Sequence, residues 1–264
     1  MDGHPAHAVD PERVRECFGR AVCRTRHGVV LVGDVVSALR AGGARVFVAG
    51  GPPRDWLTGD PARDVDLYVD RPVAHTEGVL RAAFAVDAVW QRVDGFGLLR
   101  WGDQGCLDIS FLRSPDALTG APLADTVFRP GRGLRADARM RDFTVNALYY
   151  DCALGRIVEP VPGSVADVRN RRLRIVSDPR KLAVDFRTSL RAAQFAGRGF
   201  RPVPDTVRYL RETADRDVLG VGAGLGAWVA EHVPDGGRAE FGAFLAGFLR
   251  TGEAQELLRE AVAR

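Results

Sequence analysis

"AGGPPRDWLTGDPARDVDLYVD", residues 49–70, opens on two glycines, carries an Arg-Asp pair at 54–55 and closes on two aspartates one residue apart. It reads as strand, turn, short helix, strand. In a strand alternate side chains share a face, so Asp64 and Asp66 point one way while Val65 and Leu67 point into the core. Two carboxylates on one face repel unless a cation lies between them, and hard oxygen ligands suit Mg²⁺, which bridges carboxylates to substrate phosphates. Gly50 and Gly51 let a triphosphate approach the backbone N–H groups at the start of the next helix, where the helix dipole favours anions. Arg54 adds a charged hydrogen-bonding fork, and Asp55 can hold it or a neighbouring loop in place. Alone, a GG turn is usually only a turn and a DxD only a solvated strand end. Together and in this order they point to metal-assisted phosphoryl transfer.

The rest of the chain bounds that reading. At 264 residues it can bury a substantial core in one large domain or two small ones, and its 46% hydrophobic and 27% charged residues are ordinary for a globular protein. A net charge of +3 does not by itself argue for nucleic acid, and Lys181 is the only lysine. Cys17, Cys23, Cys106 and Cys152 show no metal-ligand spacing, which suggests reduced thiols. No apolar run is long enough to span a bilayer and the N-terminus resembles no signal peptide, so the expected compartment is the cytoplasm.

Residues 1–30 lack sustained periodicity and are expected to fray. A short helix over Val35–Arg40 precedes the strand "RVFVAG" (45–50), and a helix follows over His75–Phe84. "FGLLRW" (96–101) and "CLDISFLR" (106–113) read as strands, with Trp90 and Trp101 as core side chains. Residues 114–135 read as a long loop, and "RDFTVNALYYD" (141–151) as a helix starting at an aspartate N-cap, Asp142. "GRIVEP" (155–160) is a small strand, 181–199 a helix closed by Gly199, and the last helix spans roughly Ala254–Arg264.

The motif at 50–70 resembles the GGxVRDxLLG…DxD of class II tRNA nucleotidyltransferases and bacterial poly(A) polymerases, in the DNA polymerase β superfamily. "FGLLRW…LDISFLR" looks like the strand pair that follows there, and "DARMRDFTVNALYYD" is similar to RRDFTxNAL. "GSVADVRNRRLRIVSDP" and "DFRTSLRAAQFAGRGF" resemble the later segments in family order. The resemblance runs from about Val46 to Phe200. It implies an α+β fold, a polymerase β-like nucleotidyltransferase head with a small mixed sheet and flanking helices, followed by a helical neck. The implied divisions are an N-terminal segment 1–30, a head 31–160, a neck 161–200 and a short, mainly helical C-terminal region 201–264. The implied reaction is attack of an acceptor hydroxyl on the α-phosphate of a nucleoside triphosphate, CTP or ATP, releasing pyrophosphate. Asp64 and Asp66 would bind two Mg²⁺ ions. Asp108 is the candidate third carboxylate, or else a strand residue facing solvent. Gly50, Gly51, Arg54, Asp55, Arg141, Asp142, Asn146 and Arg191 would contact the nucleotide, Arg141 through the triphosphate and Asn146 through sugar or phosphates.

Two departures shape the expected substrate. The family reads the incoming base with an Asp and an Arg on one helix; here Asp185 matches the Asp, Thr188 stands for the Arg and Val184 for a preceding Glu. Arg187 lies about 100° around a continuous helix from Thr188 and is not expected to substitute. Only about 64 residues follow Phe200, fewer than the family's helical body. Both departures, with the modest net charge, favour a small-molecule acceptor over an RNA 3′ end. The alternatives are a tRNA 3′-end nucleotidyltransferase and a catalytically silent nucleotide-binding module.

Overall fold

The computed structural model describes residues 4–25, 27–62, 64–84, 90–93, 98–101, 107–114, 133–185 and 187–263. They divide into two units, Met1–Arg169 with Val176–Asp178, and Asn170–Ile175 with Pro179–Arg264. Among the described residues no helix is long and apolar enough to cross a membrane.

The first unit runs β1 (Ala6–His7), α1 (Pro11–Phe18), β2 (Ala21–Thr25), β3 (Gly28–Leu31), α2 (Val32–Ala41), β4 (Val46–Ala49), α3 (Gly51–Thr58), β5 (Asp66–Val69), α4 (Val73–Phe84), β6 (Trp90–Val93), β7 (Leu98–Trp101), β8 (Leu107–Phe111), α5 (Leu134–Ala138), β9 (Tyr149–Asp151), β10 (Arg156–Val158) and α6 (Ser164–Arg169). Eight of these strands form one mixed sheet in the order β1-β10-β9-β4-β5-β8-β7-β6. Every neighbouring pair is antiparallel except β5 and β8. The all-apolar "VFVA" of β4 is buried throughout, as a central strand covered on both faces requires. In β8, "LDISF" alternates instead: Leu107, Ile109 and Phe111 are buried, while Asp108 and Ser110 take the other face. Phe47, Tyr68, Leu134, Ala138 and Tyr149 belong to one core cluster, and Trp101 is fully buried as expected. Trp90 lies on β6, its side chain outside the described residues.

Three expectations are corrected. The N-terminal segment is ordered into β1, α1 and the β2–β3 hairpin. β1 joins the main sheet beside β10, and the Asp10 side chain caps α1 by accepting from Glu12 N–H at 2.9 Å. These elements are too short to register as periodicity, and the legible signal was the "DPE" cap itself. "RDFTVNALYYD" is not a helix. Its Asp142 carboxylate accepts from Phe143 N–H at 2.8 Å, a 3₁₀ turn follows at Thr144–Asn146, and the chain then becomes β9, pairing with β4. Thr144, Val145, Tyr149 and Tyr150 suit a pleated surface better than a helix, and β4 needs a partner on that side. Finally, 181–199 is not one helix, as the second unit shows. The loop predicted over 114–135 lies mostly outside the described residues, as does Cys106, and α5 begins at Leu134.

The second unit holds β11 (Arg172–Leu173), α7 (Pro179–Val184), α8 (Thr188–Ala196), β12 (Arg201–Pro202), α9 (Pro204–Val221), α10 (Leu225–His232), α11 (Arg238–Ala246) and α12 (Gly252–Ala263). Leu190, Val218, Val229, Phe241, Leu245 and Leu258 form its core. Asp185, outside both helices, separates α7 from α8.

Candidate active site

β5 and β8 run parallel with Asp66 directly opposite Asp108. Asp64 lies exposed on the segment entering β5, and Val65 and Leu67 are buried, so the expected alternation holds although the strand begins at Asp66. On the far side of Asp108, Arg100 of β7 grips both its oxygens, Nε to Oδ1 at 2.8 Å and Nη2 to Oδ2 at 2.9 Å. Three adjacent strands therefore carry Asp66, Asp108 and Arg100 in a row. Burial and then the charge of Asp108 push the Asp66 carboxyl up to about 6, Asp64 adding to this while Arg141 and Arg113 oppose it.

Asp137, at 0% exposure in α5, organises the opposing positive charge. Its Oδ1 accepts from Arg113 N–H at 2.9 Å and Arg113 Nε at 3.1 Å. Its Oδ2 accepts from the Tyr149 hydroxyl at 2.6 Å and from Arg141 Nη2 at 2.9 Å. Burial alone would raise this carboxyl, but Arg141 and Arg113 outweigh it and hold Asp137 at about 2. The Arg141 guanidinium lies 4.2 Å from the Tyr68 ring centroid. A methyl placed on Gly50 would stand 3.7 Å from Asp66 Oδ2 and 3.9 Å from Arg141 Nη1, so turn, carboxylate and guanidinium border one small space.

Gly50 holds a φ of 75°, a left-handed conformation that a Cβ disfavours by roughly 1–2 kcal/mol. Gly50→Ala is expected to keep the fold and to lower the nucleotidyl transfer that the sequence resemblance implies at least about tenfold, because the methyl adds that strain and fills the space. Turnover assayed beside a thermal melt checks this; unchanged turnover would show that the space is not used.

Among the described residues no three His, Cys, Asp or Glu side chains are gathered as a metal-binding group. The donor chemistry nevertheless fits a hard divalent cation. Asp66 and Asp108 face each other with Asp64 close by, and burial together with the charge of Asp108 lifts Asp66.

Other expected contacts are spent internally. Arg54 holds Asp55 through both oxygens at 2.9 and 3.1 Å and donates from Nη1 to Asn146 Oδ1 at 2.6 Å. Asn146 Nδ2 in turn donates to Asp142 Oδ1 at 2.8 Å, and all four residues are buried. This strut ties α3 to the 3₁₀ turn, fixing the Gly50–Gly51 turn against the segment that carries Arg141. The first turn of α3 contains Pro52 and Pro53, which have no N–H. Gly50 and Gly51 are therefore the backbone donors there, fewer than the sequence reading assumed. Asp137, Arg113 and Tyr149 were not anticipated. The i,i+4 spacing of Asp137 and Arg141 was a readable pairing signal, but it presupposed that α5 exists.

Asp185 and Arg191 belong to the second unit. Asp185 is buried; Lys181 Nζ reaches its Oδ2 at 2.9 Å, and Arg187 N–H and Nε reach Oδ1 at 3.1 and 3.2 Å. Burial would raise its carboxyl, but Lys181 and Arg187 lower it. Thr188 is fully buried at the start of α8, and Arg191 is half-buried one turn on. The expectation that Arg187 cannot substitute at the Thr188 position assumed a continuous helix. Asp185 and Arg187 both lie outside the helices, and Arg187 hydrogen-bonds Asp185.

A mixed sheet that places paired carboxylates beside a glycine turn and a buried arginine matches the nucleotidyltransferase head that the sequence resemblance implies. Residues 46–174 match the family model for the poly A polymerase head domain. A multifunctional CCA protein from Xanthomonas campestris is 31% identical over 185 residues, which cover 66% of this chain and 41% of that protein. A solved CCA-adding enzyme with ATP superimposes with a TM-score of 0.61 at 19% identity, covering 89% of this chain and 52% of that one. A tRNA nucleotidyltransferase complexed with a primer tRNA and an incoming ATP analog gives 0.55 at 23% identity, covering 86% and 59%. Over its head region this chain is similar to the tRNA nucleotidyltransferase/poly(A) polymerase family. The chain spans 41% of the length of its Xanthomonas relative.

Proposed function

We propose that this protein is a cytoplasmic nucleotidyltransferase that moves the nucleoside monophosphate of CTP or ATP onto the 3′ hydroxyl of an RNA and releases pyrophosphate. The observation that carries the reading is Asp66 opposite Asp108 on parallel strands, beside Gly50 and Arg141, in a head of this family. The acceptor oxygen attacks the α-phosphorus, a P–O bond forms, and the bond to the β-phosphate oxygen breaks. Asp64, Asp66 and Asp108 are the residues that would hold Mg²⁺, which when bound supplies charge neutralisation at the attacking and leaving oxygens. Arg141, fixed by Asp137 and Tyr149, offers positive charge to the triphosphate, and the Gly50 turn leaves room for it.

The RNA acceptor replaces the small acceptor favoured by the sequence. The relatives named above are CCA proteins, and one solved counterpart carries a primer tRNA and an ATP analog, which supports RNA. The loss of an arginine at Thr188 weighs less now, because Arg187 supplies a guanidinium to Asp185.

Purified protein incubated with tRNA lacking its 3′ end and each labelled NTP tests the proposal. C and A should be incorporated, with CTP and ATP favoured over UTP by about tenfold or more, the worth of one charged hydrogen bond to the exocyclic amino group that both bases carry. Pyrophosphate release with small hydroxyl acceptors and none with tRNA would return the small-acceptor reading.

A further inference from the structure

The charge of this chain is unevenly placed. Residues 170–201 hold nine arginines and lysines against two aspartates, a net of +7, so the remaining residues carry −4 and the overall +3 conceals both. Within this segment β11 and β12 bring four arginines together. Arg172 stands opposite Arg201 in the parallel ladder, and both are exposed. Like charges facing each other across a ladder are destabilising. Arg171 beside them holds a φ of 48°, left-handed backbone that a residue with a Cβ seldom adopts. From there its guanidinium lies 5.6 Å from the Phe200 ring centroid and its Nη1 donates to the Arg198 carbonyl at 2.8 Å. The Arg198 guanidinium is 5.9 Å from the Phe195 centroid. Two locally unfavourable features thus gather four guanidinium-bearing residues in one place, two of them against aromatic rings. A concentration of guanidinium groups with Arg172 and Arg201 exposed suits a polyanion, and the arginine fork matches phosphate.

We propose that Arg171, Arg172, Arg198 and Arg201 bind the phosphodiester backbone of the acceptor RNA. This rests on the RNA reading above and adds the surface that holds the strand. Contacts of this kind position a nucleic acid without reading its sequence, and they release counterions, so binding here is salt-dependent and tolerant of sequence.

The test compares the full chain with the Arg172→Glu/Arg201→Glu double variant. Binding to fluorescent tRNA lacking its 3′ end is measured across a KCl series, and ATP binding is measured separately by calorimetry. The variant should bind tRNA at least about tenfold more weakly, with a slope of log K against log salt shallower by about 2, while ATP binding stays unchanged. If charge reversal impairs folding, Arg172→Gln with Arg201→Gln carries the same test, because it also removes the cross-strand repulsion. Wild-type affinity and slope in a folded variant would overturn the surface and leave the RNA acceptor standing. A wild-type protein that binds no tRNA yet releases pyrophosphate with a small acceptor would overturn the RNA reading and this occupant with it. Tighter binding to phosphatidylserine vesicles than to tRNA would likewise assign the surface to a membrane and overturn the proposal.

Discussion

Asp66→Asn is expected to abolish nucleotidyl transfer and, without divalent metal, to make the protein more stable at neutral pH. The catalytic loss should be about 10³-fold or more, corresponding to about 4 kcal/mol of charge stabilisation at the reacting phosphate. The stability gain follows from the position of Asp66 opposite Asp108 in a half-buried site, where its carboxyl is pushed up to about 6. An unfolded aspartate titrates near about 3.9. Stability linked to this group is therefore full below pH ~4 and is lost as pH rises through about 6. Asparagine cannot ionise, so the variant keeps that stability at pH 7.5, about 1–2 kcal/mol once partial exposure is allowed for. Urea unfolding in EDTA should show a higher midpoint for the variant at pH 7.5 and coincident midpoints near pH 4. Mg²⁺ should then raise the wild-type midpoint more than the variant's. Retained turnover, or midpoints that coincide at pH 7.5, would remove Asp66 from the proposed metal site.

Asp137→Ala carries the largest expected loss of stability. The substitution leaves Arg113 and Arg141 without the buried carboxylate both hydrogen-bond, and the Tyr149 hydroxyl without its acceptor. Removing one partner from a buried ion pair costs about 3–5 kcal/mol, far more than the pair contributes over an apolar replacement. The pH dependence is opposite in sign to that of Asp66. With its carboxyl held at about 2, Asp137 contributes stability above the unfolded value near pH ~4, and this is lost as pH falls toward 2. Asp137→Asn keeps an oxygen acceptor but not the charge, so it should fall between wild type and the alanine variant and lose that acid dependence. Because Arg141 loses its anchor, the KM for NTP should rise in both. An alanine variant with a wild-type urea midpoint would mean that the arginines find other partners.

How much of this was legible depended on how local the signal was. Asp64 and Asp66, separated by a buried valine, follow from the two-residue period of a strand and needed no tertiary knowledge. Asp108 was readable as a polar position in "LDISF", but its place opposite Asp66 depends on β5 and β8 pairing in parallel across some 40 residues, which no local pattern encodes. The hold of Asp55 on Arg54 was readable from their adjacency, whereas the Arg54–Asn146 and Asn146–Asp142 contacts lie where only the folded sheet puts them. The interruption between α7 and α8 was not anticipated because helix periodicity was carried through 181–199. There Asp185 accepts hydrogen bonds from Arg187 N–H and side chain, the local competition with helix that aspartate is prone to. Averaging hid the arginine cluster too, since a whole-chain charge cannot report a segment of +7 beside one of −4.

The pairing of β1 with β10 has a consequence in time. Ala6 meets Val158 and His7 meets Ile157, and the contact is closed by the His7–Glu159 pair at 3.0 Å and by Glu159 N–H donating to the Pro5 carbonyl at 3.0 Å. During synthesis at about 5–20 residues per second, β1 waits on the order of ten to thirty seconds for β10, which is made about 150 residues later. Meanwhile α1 and the β2–β3 hairpin can form from neighbouring residues, but residues 5–7 remain an open strand edge able to pair with another nascent chain. Their late docking makes them a natural reporter of emergence of β10: cleavage by a protease within 5–7 should stop only once residues beyond 159 have emerged.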